Sequence, residues 1–220
     1  MSSLVFYTDE TQALVATDTL AAHPDGRPFK FASKTFIVPH LKLIMAGVGT
    51  GGFLSRWFVF MNDSLVVRGI DNLNYHTPRA LRKLWQRHKQ EIPVPDGITT
   101  TVYHFGFSED TQLIHSYAYR STNDFTSERL EPYGLRFKPE CQVPADYRLP
   151  DDFITIMDEQ RAIQASKPKE DRLYIGGEIE VNYLAKDGFR VYTLHRFADY
   201  DRDETAIFDD LHIAELQREP

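Results

Sequence analysis

The sequence predicts an α+β fold in which helices cover antiparallel sheets. Three observations carry that reading. Strand-like and helix-like segments come in blocks (strands, two helices, strands, one helix, strands) rather than in strict β-α alternation. Neighbouring strand candidates are joined by short polar turns, such as Asp9-Glu10-Thr11-Gln12 and Lys186-Asp187-Gly188, which suit hairpins. Of the 220 residues 42% are hydrophobic and 13% aromatic, enough apolar mass for one sizeable domain over 1–198, followed by an acidic tail over 199–220.

The elements follow in order. Residues 3–8 and 13–19 read as two strands around the Asp9–Gln12 turn, a register that sets Ser2 opposite Thr19 and Ser3 opposite Asp18. Pro24-Asp25-Gly26-Arg27-Pro28 is loop chemistry, after which strands are expected near 33–38 and 41–46. The second runs into the glycine-rich turn Gly47-Val48-Gly49-Thr50-Gly51-Gly52. Phe53, Leu54, Trp57, Phe58 and Met61 then recur at helical spacing over roughly 51–62. Thr77-Pro78 supplies an N-cap and a proline at the first helical position of the next helix, which stops before Pro93. Strand character returns at 99–107 and 111–120 around Ser108-Glu109-Asp110, and the proline-rich stretch 121–150 reads mainly as loop. A helix over 151–165 faces Phe153, Ile156, Met157 and Ile163 inward; strands at 178–185 and 189–197 and a short amphipathic helix in the tail complete the chain.

Composition narrows the function classes. A net charge of −7 argues against a nucleic-acid partner. Cys141 is the only cysteine, which rules out an intrachain disulfide and fits a reducing compartment. No basic stretch followed by an apolar one opens the chain, and the apolar region 36–48 is broken by Pro39, His40 and Lys42, so neither a signal peptide nor a membrane span is expected. A cytoplasmic protein is the default. The eight histidines fall in no metal-binding spacing, so no metal is expected, and Cys141 has no neighbouring base.

Chemistry concentrates in the first thirty-four residues. Ser2 follows Met1 directly, so loss of one residue exposes a serine with a free α-amine; Asp18 closes one apolar run and Lys34 opens another. A serine hydroxyl needs a base, and an α-amine titrating near 8 is one at neutral pH. A lysine cation nearby stabilises the alkoxide and keeps the amine neutral, and Asp18 is placed to hold that cation. Backbone N–H groups around Gly47 suit an oxyanion, because glycine admits close approach of substrate.

Here the chain resembles a known family. Ser-Ser-Leu-Val-Phe at the start, Val-Ala-Thr-Asp-Thr at 15–19, a lysine opening the third strand and Met-Ala-Gly-Val-Gly at 45–49 are similar to the N-terminal nucleophile (Ntn) hydrolases, within them to the proteasome β-subunit group and its bacterial relatives. Gly-Gly-Glu-Ile-Glu-Val-Asn-Tyr-Leu-Ala-Lys-Asp-Gly at 176–188 is similar to the family's Gly-Gly, apolar strand, Lys-Asp-Gly return. The likeness is good over about 1–60, looser over 77–120 and 151–195, and absent around 121–150. It implies a four-layer αββα sandwich of two antiparallel sheets flanked by helices. It implies Ser2, Asp18, Lys34 and Gly47 as the catalytic set, with Thr19, Leu20 and Gly49 binding substrate and Ser121 and Asp171 as supporting residues. Departures are visible: Arg120-Ser121-Thr122-Asn123-Asp124 lacks the glycines that flank the family's serine, Ile175 stands where a serine is expected, and Ser2 replaces the commoner threonine.

The expectation is therefore a hydrolase of amide, chiefly peptide, bonds that needs no cofactor. The resemblance also implies self-assembly into a homo-oligomer, as in a ring with inward-facing sites, and by analogy alone an ATP-dependent unfoldase partner. A non-catalytic assembly or binding protein on the same fold, and an amidase for small molecules, are the alternatives.

Overall fold

The computed structural model describes residues 3–95, 97–143 and 145–216, with the backbone alone over 210–216. The strands are β1 (Leu4–Thr8), β2 (Gln12–Asp18), β3 (Leu20–Ala22), β4 (Pro28–Phe31), β5 (Thr35–Val38), β6 (Leu43–Gly49), β7 (Thr100–Phe107), β8 (Ile114–Arg120), β9 (Ser127–Arg129), β10 (Gly134–Lys138), β11 (Glu178–Ala185) and β12 (Gly188–Arg196). The helices are α1 (Phe53–Ser64), α2 (Ile70–Glu91), α3 (Asp152–Ala165) and α4 (Tyr200–Leu216). One antiparallel sheet has the order β10-β1-β2-β11-β12 and a second β5-β6-β7-β8-β9, with β3 and β4 forming a separate ribbon.

Strand alternation explains why these sheets stack in four layers. On β2, Ala13 and Val15 point into the space between the sheets, while Leu14 and Ala16 point to the α3 side. On β6, Ile44, Ala46 and Val48 face the first sheet, and Leu43 and Met45 face α1 and α2. Both faces of each central strand are therefore apolar, so each sheet needs a cover on both sides. Phe53, Trp57 and Met61 of α1 and Ile70, Leu73 and Leu81 of α2 close one outer face. Phe153, Ile156 and Met157 of α3 close the other. The result is an αββα sandwich. The β1–β2 hairpin has the register expected of a turn at 9–12, with Leu4 opposite Thr17 and Thr8 opposite Ala13.

Three expectations are corrected. The second helix starts at Ile70, not at Thr77-Pro78, and Pro78 lies inside it. Its first turn is capped from a distance: Glu109 accepts the Asp71 N–H at 3.0 Å and the Asn72 N–H at 2.7 Å. The Thr77 hydroxyl donates back to the Leu73 carbonyl at 2.8 Å instead of capping. The stretch 121–150 carries β9 and β10, which add edge strands to the two sheets by pairing with β8 and β1. Ile163 is only half-buried, and the inward face of α3 holds Gln160 and Gln164 instead. In the tail, α4 packs on the β3–β4 ribbon through Tyr200, whose ring stacks on Phe31 with centroids 4.7 Å apart.

One buried histidine marks the α1 seam. Trp57 Nε1 donates to His104 Nε2 at 2.9 Å, which leaves the ring proton on Nδ1. Full burial pushes the His104 pKa down to about 3.

Candidate active site

β2 is a central strand, paired on one side with β1 and on the other with β11, so its last residue, Asp18, ends up fully buried. A buried carboxylate must be paired and hydrogen-bonded. Asp18 Oδ1 accepts the Ser3 N–H at 2.9 Å and the Lys34 ammonium at 2.8 Å; Oδ2 accepts the Gly176 N–H at 3.1 Å. The Lys34 Nζ also donates to the Leu20 carbonyl at 2.7 Å. Its side chain is 12% exposed. Burial lowers the Lys34 pKa from the ordinary lysine range, and the Asp18 charge beside it opposes that shift.

Two neighbours fix the lysine along the chain. Ser33 Oγ and Thr35 Oγ1 each donate to Glu180 Oε1 at 2.8 Å, so one carboxylate of β11 grips both residues flanking Lys34. Asn182 Nδ2 adds bonds to the same oxygen at 3.1 Å and to Thr35 Oγ1 at 2.8 Å. At the start of β1 the Ser3 hydroxyl donates to Gln160 Oε1, and Gln160 Nε2 donates to the Pro139 carbonyl, which ties the chain start to α3.

Of the residues singled out in the sequence, Asp18, Lys34 and Leu20 meet directly. Ser2 lies outside the described residues. The amide of Ser3, the next residue, shares the oxygen that binds Lys34, so the ammonium is two hydrogen bonds from residue 3. Gly47 lies on β6; Thr35 pairs with Ala46, and one further step along that antiparallel register sets Gly47 beside Lys34. A side chain at Gly47 would press on the Leu54 Cβ of α1 at 3.1 Å. Gly49 has φ +115°, and a Cβ there would stand 2.1 Å from the Thr99 carbonyl oxygen, so this turn requires glycine. Thr19 is already engaged: its hydroxyl accepts the Glu178 N–H at 2.8 Å and its carbonyl accepts the Ala32 N–H at 2.8 Å.

The two supporting candidates stand apart. Ser121 Oγ accepts the Thr100 N–H at 3.0 Å, at the end of the β7–β8 hairpin. Asp171 is exposed in the short turn Lys169–Asp171, and among the described residues no hydrogen bond joins it to Asp18 or Lys34. Gly176 supplies the second anchor for Asp18 instead. Gln160 has no site role in the sequence reading, and Gly176 and Glu180 fall in the Gly-Gly-Glu-Ile-Glu run of the family resemblance without a site role being read from it. For Gln160 the available signal is a glutamine pair four residues apart, Gln160 and Gln164, on an otherwise apolar helix face. Among the described residues no group of three or more His, Cys, Asp or Glu side chains could hold a metal. Burial pushes the Cys141 thiol up to about 11, which leaves it unreactive at neutral pH.

No family model matches the sequence, and no curated protein matches it. Solved structures do. The chain superposes over 100% of its length on 98% of a (Gly-1) mutant of Anbu from Hyphomicrobium sp. strain MC1, with a TM-score of 0.59 and 12% identity. Anbu described as an ancestral beta-subunit, from Yersinia bercovieri, is similar at TM-score 0.59 and 11% identity, again over 100% of this chain and 98% of that one. Another structure of Anbu from the Hyphomicrobium strain gives 0.56 and 11%, over 99% of this chain and 98% of its own. At such identity the likeness is one of fold, and it supports the αββα sandwich described above.

Proposed function

We propose that this protein is an Ntn hydrolase of the proteasome-like group that cleaves amide bonds, chiefly in peptides, once Met1 is removed. The observation that carries the reading is the buried Asp18–Lys34 pair, whose shared oxygen also binds the amide of Ser3. In this reading the serine one residue earlier in the sequence meets the ammonium that Asp18 holds.

In this reading the Ser2 hydroxyl oxygen attacks the amide carbonyl carbon, and its proton passes through water to the Ser2 α-amine. The Lys34 charge stabilises the alkoxide and disfavours protonation of the amine in the resting state. Gly47 N–H donates to the oxyanion. Collapse breaks the C–N bond as the α-ammonium returns its proton to the leaving nitrogen. Water then attacks the ester carbonyl, the α-amine takes its proton, and the acid and the Ser2 hydroxyl are released. No cofactor enters. Assembly into a homo-oligomer, as in a ring, a cytoplasmic setting and an ATP-dependent unfoldase partner belong to the same proposal.

Two measurements test it: the mass of the purified protein's N-terminal peptide, and release of a fluorophore from peptide amides by wild type and by Ser2→Ala. Cleavage by a chain that begins at Ser2, absent in Ser2→Ala, is expected. Retained Met1 with no cleavage overturns the enzyme and leaves the second reading, a non-catalytic assembly or binding protein on this fold. The engagement of Ser121 with Thr100 and the exposed position of Asp171 favour that alternative. An amidase for small molecules would share the chemistry and prefer short amides in the same assay.

A further inference from the structure

An open cleft of about 360 Å³ lies between the two sheets, where β10 and β1 face β7 and β8. Its size falls within the range of small-molecule sites. Strand alternation sends charges into it. Leu4 and Phe6 of β1 point between the sheets, and the residues opposite them on β10 are Lys138 and Arg136, which therefore share that face. On β8 Ala118 points the same way, and so does Arg120 two residues on; Glu128 of β9 is opposite Ala118. Aromatic rings bring the two sides together. Phe6 meets Tyr103 across the gap with ring centroids 5.7 Å apart, and the Arg120 Cζ stands 6.0 Å from the centre of that same Tyr103 ring. Arg136 is directly across the strand pair from Phe6.

The cations of this cleft outnumber its anions, in a chain whose net charge is −7. Arg120, Arg136 and Lys138 line it, with Glu140 as the one lining carboxylate. Arg120 is paired from the side: Glu128 accepts its Nε at 2.9 Å and its Nη2 at 3.4 Å, which leaves Nη1. Arg136 donates Nη2 to the Glu131 and Pro132 carbonyls at 2.8 and 3.2 Å, contacts that fix the guanidinium without neutralising it. Among the described residues Lys138 has no hydrogen bond or ion pair, and no carboxylate pairs with Arg136. Burial lowers the Lys138 pKa from the ordinary lysine range, the Arg120 charge lowers it further, and Glu140 opposes both. None of the three cations is sealed off. The Arg120 side chain is 31% exposed, and Arg136 and Lys138 are half-buried, so a ligand in the cleft can touch them.

We propose that this cleft binds a carboxylate on a short apolar stem, that of an acidic side chain in a peptide or of a free short-chain acid. The carboxylate accepts from Lys138 Nζ and from the unspent N–H groups of Arg136 and Arg120. Its stem lies on Phe6, Tyr103 and Leu130, each 4% exposed. A singly charged carboxylate suits the cleft better than a phosphate. Both arginines have already spent part of their donors, and the Glu140 and Glu128 charges repel a dianion more than a monoanion. The cleft shares an end of the sandwich with the Asp18–Lys34 pair: Lys138 is opposite Leu4, the neighbour of the Ser3 whose amide binds Asp18. Binding needs no catalysis, and the inference stands whether or not Ser2 is a nucleophile.

Titration calorimetry on the full chain in a Ser2→Ala background, so that no probe is hydrolysed, decides it. The probes are acetyl-alanyl-glutamyl-alanine amide, its glutaminyl counterpart, butyrate and inorganic phosphate. Butyrate or the glutamyl peptide is expected to bind saturably at millimolar concentrations, and the glutaminyl peptide about tenfold more weakly than the glutamyl one if the peptide is the ligand. Binding of butyrate as well identifies a free acid; binding of the glutamyl peptide alone identifies an acidic side chain. Lys138→Met keeps the stem and removes the charge. Because Lys138 holds no partner, the variant should melt no lower than its parent and lose at least about tenfold in affinity. Arg136→Met, checked for folding by circular dichroism, should lose as much. Absence of saturable heat with both carboxylates, equal affinity for the two peptides without butyrate binding, phosphate binding tighter than either carboxylate, or unchanged affinity in whichever of the two variants is folded would overturn the proposal.

Discussion

Asp18→Asn is the most revealing single change. The side chain keeps its shape, but one oxygen becomes an NH2 group. With the remaining oxygen at the Oδ1 position the bonds from Ser3 and Lys34 survive, and the new NH2 faces the Gly176 N–H, donor against donor. The reverse orientation forfeits two bonds, so the first prevails. An unsatisfied buried N–H costs about 1–3 kcal/mol. Lys34, 12% exposed, also loses its counter-charge. Neutralising one partner of a buried pair costs about 3–5 kcal/mol in all. That cost depends on pH. In the variant the unfolded chain holds the Lys34 proton to its ordinary pKa, while burial lowers the folded pKa without Asp18 to oppose it. The unfolded state therefore binds more protons, and the variant gains stability as pH rises through that window. Urea unfolding followed by circular dichroism should show Asp18→Asn about 3–5 kcal/mol less stable than wild type at pH 7, with the gap narrowing towards pH 10. Asp18→Asn with Lys34→Met should recover part of the loss, because no unpaired charge is left. A loss under about 1 kcal/mol at pH 7, or a double variant no better than the single one, would refute the pairing described here.

Other perturbations follow from the same geometry. His104 titrates near 6.5 when unfolded and at about 3 when folded, so it draws stability away as pH falls from 6.5 towards 3, by up to about 1.4 kcal/mol per pH unit; His104→Asn should flatten the stability–pH slope between pH 6 and 4, and an unchanged slope would contradict a neutral buried ring. Glu109→Ala, which uncaps α2, should cost about 1–2 kcal/mol in thermal unfolding, whereas no loss would mean that Glu109 is not the cap. Glu180→Ala releases Ser33 and Thr35 together; if the protein is the proposed hydrolase, kcat for peptide amides should fall roughly 10–100-fold with KM nearly unchanged, and Glu180→Gln should retain most of it. A Glu180→Ala variant with unaltered kcat would remove that carboxylate from any positioning role.

The parts of the fold legible in the sequence were those whose cause is local. Continuous apolar runs at 13–16 and 43–46 announce strands buried on both faces, and the polar turn at 9–12 fixes the register that brings Ser3 to Asp18. The start of α2 was not local. Its cap, Glu109, comes from 38 residues further on, so the nearby Thr77-Pro78 looked like the better beginning. β9 and β10 are short edge strands among prolines, and their hydrogen bonds come from β8 and β1 rather than from each other. The spacing of Asp18 and Lys34 made the ion pair readable. The groups that hold it, Gly176 through its backbone N–H and Glu180 through the hydroxyls flanking Lys34, lie just before and within β11; the Gly-Gly run at 176–177 marks the place, but nothing local says that it meets Asp18, some 158 residues earlier.

The proposed hydrolase stands on Ser2 acting as a nucleophile that the Asp18–Lys34 pair assists. Incubation with a β-lactone that acylates N-terminal hydroxyls, followed by peptide mass mapping, tests it most directly. One adduct per chain is expected, on a peptide that begins at Ser2, and it should be lost in Lys34→Met. A peptide that still carries Met1, with no adduct at any lactone concentration, would contradict it.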